Sequence, residues 1–256
     1  EGLLGNFVIG EAKMIEPYHY RNSNFQNWFT VENSDPFTYV GCHYIDLVTF
    51  ITRLKITEGS VRGCESAFPN GNRGYMWTNS RVVFENGAML SMINGLGYPD
   101  DGAGSNEQCL TMFFEGNGQS AIIKHDDQFR GCTHSYLENP NIEKRKFRFI
   151  NPDFFQLVPW EGEGYKPVGY GYESVESIMS IIAKIRLASA TVDNPKIALQ
   201  IRQNMINEIN RKNLAATPTT TANNELVAEA ARLSLSAKGM PVEIIYEENP
   251  FVRLRK

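Results

Sequence analysis

The 256-residue chain is 42% apolar and 21% charged, enough apolar material to build a sizeable core. Its formal net charge of -4 argues against a nucleic-acid partner, which calls for a basic surface, and it has no run of about 18 apolar residues to cross a membrane as a helix. The four cysteines, Cys42, Cys64, Cys109 and Cys132, form no CxxC pair, so free thiols in a reducing, cytoplasmic setting are expected, although an even count leaves disulfides open.

In chain order, residues 6–16 mix apolar and polar positions and predict a strand. Residues 18–30 are aromatic and polar and predict a loop that carries His19, Arg21 and Trp28. Ser34 or Asp35 can cap a helix, Pro36 suits its first position, and the helical spacing runs over 37–54. From about 59 to 149 the texture is that of short strands. Residues 81–84 and 88–93 flank Glu85-Asn86-Gly87, a hairpin signature because Asn-Gly readily adopts positive φ. Residues 111–115 and 120–124 flank a second turn, Gly116-Asn117-Gly118, and 146–150 predict a further strand. The Gly- and Pro-rich stretch 159–171 reads as a loop. Two helices follow, over 174–190 and from Asn194-Pro195 to 212. Residues 214–221 read as a polar connector, 224–238 as a helix stopped by Gly239, and 241–246 as a strand.

Segregated strands and helices imply an α+β fold: a large, mostly antiparallel sheet with helices packed on one face. The other face must meet water or a partner. Strand 91–97 is not polar enough on alternate positions to face water throughout, so a homo-oligomer formed through the sheet face is expected.

The segment 35–46 is the richest in chemistry. On a helix Tyr39, His43 and Asp46 fall at i, i+4 and i+7 and share one face. An imidazole suits proton transfer near neutral pH. The phenol could share a hydrogen bond with it and the carboxylate could fix its tautomer. The spacing equally fits a histidine buried in a core or a subunit contact. Upstream, Tyr18, His19, Tyr20 and Arg21, with Phe25, Trp28 and Phe29, offer rings for stacking on sugars and donors for hydroxyls, or simply packing under a long loop.

Gly41-Cys42-His43-Tyr44-Ile45-Asp46-Leu47 resembles the Gly-x-His-x-Ile-Asp-Leu signature of the glucose-fructose oxidoreductase, inositol dehydrogenase and rhizopine-catabolism family, Gfo/Idh/MocA. In that family it opens the first long helix of the C-terminal domain. An Arg and a Trp in the preceding loop match Arg21 and Trp28, and an Ala-rich helix leading to Gly239-Met240-Pro241-Val242 resembles the family's close. The resemblance implies that His43 lies beside nicotinamide and substrate as acid, base or orienting group. It also implies that Tyr39 stands where an Asp often assists, and that Arg21, Trp28 and Asp46 help hold substrate; His19, in the same aromatic loop, is expected to join them by its residue type. A phenol is no anionic partner near neutral pH without a large pKa shift, so the family's mechanism does not transfer whole. Asp46 could serve equally as a helix anchor.

The family's Rossmann domain is not found. No GxGxxG occurs; Gly95-Leu96-Gly97 and Gly169-Tyr170-Gly171 are two-glycine fragments. Glu143-Lys144-Arg145 is not the family's Glu-Lys-Pro and falls after the signature helix. The expectation is therefore one domain over 1–256, the C-terminal domain of a parent that uses NAD or NADP and acts on a sugar- or polyol-like substrate. This chain alone is expected to bind no cofactor and to be inactive. The alternative is a non-catalytic sugar-binding or dimerisation module of the same fold. No metal site is expected: His125 neighbours Asp126 and Asp127, but adjacent strand residues face opposite sides.

Overall fold

The structure, a computed structural model, describes residues 4–116, 118–128, 131–138, 145–150, 156–169, 171–212 and 214–256, with side chains at 119 and 127–155 outside the description. The side chains of Asp127, Cys132 and His134, and those of the segment Glu143-Lys144-Arg145, thus lie outside the description. The chain divides into two compact units, Glu1–Ile150 with Asn223–Lys256, and Asn151–Ala222.

The first unit is built on a ten-stranded sheet. Its strands are β1 (Asn6–Pro17), β2 (Ile56–Ala67), β3 (Arg73–Phe84), β4 (Met89–Tyr98), β5 (Glu107–Gly116), β6 (Gln119–Gln128), β7 (Gly131–Glu138), β8 (Arg145–Ile150), β11 (Val242–Ile245) and β12 (Phe251–Leu254). Their order is β12-β11-β2-β3-β4-β1-β5-β6-β7-β8. Every pairing in it is antiparallel except β1 with β4, which is parallel. The expected α+β class, a large and mostly antiparallel sheet with helices, is what the chain adopts.

Period-two burial explains the strands. In β3, Gly74, Met76, Thr78, Ser80, Val82 and Phe84 are buried, while the residues between them are half-buried or exposed. In β4, Leu90, Met92, Asn94 and Leu96 are buried likewise. The Asn86-Gly87 turn forms as expected: Gly87 has φ +85°, and the Asn86 carboxamide accepts from Ala88 N (3.0 Å) and donates to Phe7 O (3.0 Å).

Two helices cover the buried face. From α2 (Cys42–Thr52) come Tyr44, Ile45 and Val48; from α5 (Pro218–Ser236) come Val227, Ala230, Ala231 and Leu235. These pack with Phe7, Val61, Val82, Leu90, Met92 and their neighbours in one core. Ser234, fully buried in α5, ties that helix to β2: its hydroxyl accepts from Val61 N (2.9 Å) and donates to Met240 O (2.7 Å).

Helix boundaries differ from the sequence reading. The helix expected over 37–54 begins as a π turn, Phe37–Gly41, before α2. It ends at Arg53, whose φ of 62° stops the helix. The closing helix starts at Pro218, six residues before the expected 224. Thr217 caps it, bonding Thr220 N through its side chain (3.4 Å).

The second unit holds a hairpin of β9 (Gln156–Pro159) and β10 (Tyr165–Val168), then α3 (Tyr172–Ala188) and α4 (Pro195–Lys212). The stretch read as a loop thus contains β10; Gly164, at φ +77°, lies in the turn before it. Asn194 caps α4, accepting from Lys196 N (3.0 Å) and Ile197 N (3.4 Å). Arg202 of α4 donates to the Ser189 hydroxyl just past α3 (2.7 Å).

Candidate functional site

The candidate residues lie on two segments of the first unit: the stretch after β1 and the π turn with α2. After β1 the chain forms a 3-10 turn, Tyr18–Asn22, and a short helix α1, Phe25–Trp28. The stretch read as an irregular loop is therefore two helical turns locked by rings. Tyr39 is held by three edge-on contacts, to Phe25 (5.2 Å between centroids), Trp28 (5.9 Å) and Phe29 (5.7 Å). Tyr20 continues the chain of rings to Phe25 (4.9 Å), and His19 to Tyr20 (5.1 Å). Beneath them Phe29, Phe68, Met76 and Leu96 form a second small core.

Arg21 is half-buried. Its Nε donates to Leu96 O at the end of β4, and its guanidinium lies 4.5 Å from the centre of the Tyr18 ring. Burial pulls its pKa down from the usual value, with Tyr18 opposing. His19 is exposed and tied to Asp100, whose Oδ1 accepts from its backbone N and meets its ring Nδ1, both at 2.9 Å. The backbone and side-chain bonds from His19 hold the Asp100 carboxyl below its ordinary range. Trp28 is exposed beside Tyr39.

Asp35 starts the second segment. Its Oδ1 accepts from Phe37 N (2.8 Å) and Thr38 N (3.0 Å), and its Oδ2 accepts from the Thr38 hydroxyl (2.6 Å). It is the cap, as the sequence allowed. Burial raises its pKa against the bonds from Thr38 and Phe37 and the charge of Arg232. Gly41 ends the π turn against the sheet: a Cβ there would stand 2.7 Å from Asn94 Oδ1. The glycine of the signature is thus a close-approach residue. His43 follows, exposed on the first turn of α2. Asp46, one turn later, accepts from Asn224 Nδ2 of α5 (2.8 Å).

The structure therefore gathers Tyr39 and Trp28 into one aromatic cluster, reached from His19 through Tyr20, and sets Arg21 beside it. His43 and Asp46 lie further along α2, and Tyr39 makes its ring contacts with the cluster. One participant escaped the sequence reading. Glu16, the last inward-facing residue of β1, is buried and takes hydrogen bonds from Asn106 and Tyr20. Burial pushes its carboxyl up against those bonds. Tyr20 and Tyr39 are both raised, first by burial and then by the Glu16 charge. The alternation Gly10, Ala12, Met14, Glu16 was the signal that could have found it.

On the other side of the turn is a groove of about 760 Å³ between the 31–38 segment and α5. It is lined among others by Glu32, Asp35, Tyr75, Glu225, Glu229 and Arg232. Arg232 donates to Glu32 O there (2.7 Å). Among the described residues no group of three or more His, Cys, Asp or Glu could hold a metal ion. Cys42, Cys64 and Cys109 are free thiols. No described helix is long and apolar enough to cross a membrane.

No known family profile matches the sequence, and no curated protein matches it. Solved structures do match in shape. An NAD binding oxidoreductase from Klebsiella pneumoniae is 12% identical with a TM-score of 0.56, over 96% of this chain and 61% of that one. An oxidoreductase domain protein from Kribbella flavida is 14% identical with a TM-score of 0.55, over 96% and 60%. Levoglucosan dehydrogenase, solved with NADH and L-sorbose, is 11% identical with a TM-score of 0.53, over 94% and 59%. The chain spans about 60% of the length of each of these three. The chain shares its fold with these oxidoreductase structures, the fold that the resemblance of the 41–47 segment implies.

Proposed function

We propose that this chain is the C-terminal, substrate-binding and oligomer-forming part of an NAD(P)-dependent oxidoreductase that acts on a sugar- or polyol-like molecule. The observation that carries the reading is His43, exposed on the first turn of α2 directly after a glycine wedged against Asn94, in a fold shared with oxidoreductases. Oxidising a secondary alcohol requires a proton acceptor and a hydride acceptor. His43 is the proton acceptor in this proposal: its imidazole takes the proton of the reacting hydroxyl and returns it in the reverse direction. A nicotinamide cofactor would supply the hydride acceptor. The residues of this chain do not fit one, since no Gly-rich strand–turn–helix is available to seat its pyrophosphate.

Tyr39 keeps its proton, because burial and Glu16 raise its pKa; as a phenol it donates to or accepts from a sugar hydroxyl. Trp28 offers an exposed indole to the apolar face of a sugar ring. Arg21 and His19, on the same helical stretch and each held in place from β4 or the turn after it, would offer donors to sugar hydroxyls. Asp46 accepts from Asn224 and so helps to hold α2 on α5.

The test is kinetic, on the protein expressed with whatever reading frame precedes Glu1. His43→Ala is expected to lower kcat by about 100-fold or more. Unchanged turnover with an intact fold would overturn the catalytic role. A second reading, a sugar-binding or dimerisation module without redox chemistry, draws support from Asp46 being engaged by Asn224 and from Tyr39 in the acid's place. It is distinguished by sugar binding that persists in the His43→Ala protein with no turnover in either form.

A further inference from the structure

The covered face of the sheet holds a polar patch that nothing above uses. Thr78 of β3 and Asn94 of β4 are directly opposite in the register, so they share the face that carries α2. Ser80 lies two residues further along β3 on that same face. The three are 2%, 0% and 2% exposed. Among the described residues, Thr78 Oγ1, Ser80 Oγ, Asn94 Oδ1 and Asn94 Nδ2 have no hydrogen-bond partner. Buried polar atoms in folded proteins are almost always paired, and each unpaired one is destabilising. Four such atoms in a small block is an unusual concentration, and Ser234 in the same core shows the ordinary outcome, with its hydroxyl bonded on two sides.

The donors and acceptors are complementary to water. A carboxamide brings two N–H donors and one acceptor, and each hydroxyl brings one donor and acceptor lone pairs. An internal water makes about three hydrogen bonds to otherwise unpaired groups. Cross-strand partners such as Thr78 and Asn94 have Cβ atoms about 5 Å apart, a spacing that one bridging molecule spans. The patch also has a roof. Asn94 Oδ1 would stand 2.7 Å from a Cβ placed on Gly41, so the carboxamide abuts the π turn that precedes His43.

We propose that Thr78, Ser80 and Asn94 form an internal water site in the sheet beneath Gly41, and that through it Asn94 is a positioning residue for the turn that carries His43. The water site stands on the buried atoms alone. Only its importance for catalysis rests on the function proposed for His43, so the test is made without activity.

Two measurements on the 256-residue chain decide it. The first is urea unfolding of Thr78→Val, Asn94→Leu and the double variant. Thr78→Val keeps the shape and removes the hydroxyl. If that hydroxyl binds water, the folding equilibrium constant falls roughly fivefold, and the double variant loses less than the product of the two single losses. If the hydroxyl is dry and unpaired, Thr78→Val is neutral or stabilising, which overturns the water site. The second is NMR. The Asn94 side-chain amide protons are expected to show a cross-peak to a long-lived water, and the His43 ring resonances to shift in Thr78→Val, which keeps the core volume. Coupling between Thr78 and Asn94 without the water cross-peak means a direct side-chain bond and overturns the water site. A His43 signal and titration curve unmoved in both single variants overturns the positioning role. If Asn94→Leu fails to fold, Thr78→Val still carries both readouts.

Discussion

The two faces of the ten-stranded sheet are made by the same strands and live in different media. On β4, Leu90 is fully buried beneath the helices, whereas Ile93, three residues on and facing the other way, is 39% exposed. The covered face closes around Phe7, Val82, Leu90 and Met92 with α2 and α5 as its lid. The open face mixes apolar and charged residues. Ile9 sits directly opposite Phe113, at 44% and 45% exposure. Lys13 pairs with Glu107 at 3.3 Å, and Trp77 lies flat across Gly95 and Gly97, where a Cβ would meet its ring at 2.3 and 2.2 Å. Alternation therefore sets which face a residue joins, but only the covering helices make one face a core.

The sharpest way to break that contrast is to truncate both faces of one strand. Leu90→Ala is expected to destabilise the chain by about 2–5 kcal/mol, through lost burial and a residual cavity. Ile93→Ala, on the same strand, is expected to cost about 0.5 kcal/mol or less in the monomer, as surface substitutions do. Urea unfolding of the two variants reads the difference; equal losses would mean that the open face is covered in solution by something that stabilises the chain.

The next effect is on association. If the open face joins copies of this chain, Ile93→Asp combined with Phe113→Asp is expected to convert the oligomer to a monomer in light scattering, with the fold intact. A parent chain that is already monomeric at high concentration would overturn the oligomer, and an oligomer that survives both charges would move the contact elsewhere. The exposed stripe Val175, Ile178, Met179 and Ile182 on α3 then becomes the next surface to charge.

How much of this was legible depended on whether the signal was local. The Asn86-Gly87 hairpin, the Asp35 cap and the Asn194-Pro195 helix start were read directly, because turn and cap chemistry is carried by two or three adjacent residues. Thr217-Pro218 carries the same kind of start as Asn194-Pro195, yet the run of threonines around it reads as polar connector, so the closing helix was expected too late. The π turn left no trace in the spacing, because its cause lies across the fold: Gly41 meets Asn94, a residue 53 positions away on β4. Asn94, Thr78 and Ser80 look like solvent-facing positions by composition, and only the register reveals them as buried. The site residues divide the same way. His43 and Tyr39 were legible by spacing, while Glu16 depends on the end of β1 meeting Tyr20 and Asn106.

Glu16 also gives the smallest effect, and one that separates a buried charge from the exposed pairs of the open face. Burial raises its carboxyl above the ordinary value of 4.5. Between that value and its raised one, the folded chain holds a proton that the unfolded chain has released. Stability therefore falls as pH rises through this window, and the loss is complete above the folded pKa. Glu16→Gln removes the titration and can still accept from Asn106 and Tyr20. Relative to the parent, it is expected to gain stability between pH 4 and pH 7, by about 1.4 kcal/mol for each unit by which the pKa is raised. Urea unfolding at the two pH values measures this gain. Lys13→Ala, which breaks an exposed pair, should show no such slope beyond a few tenths of a kcal/mol and should lose what effect it has in high salt. A Glu16→Gln difference that is flat with pH would mean that the carboxyl is solvated in the folded chain.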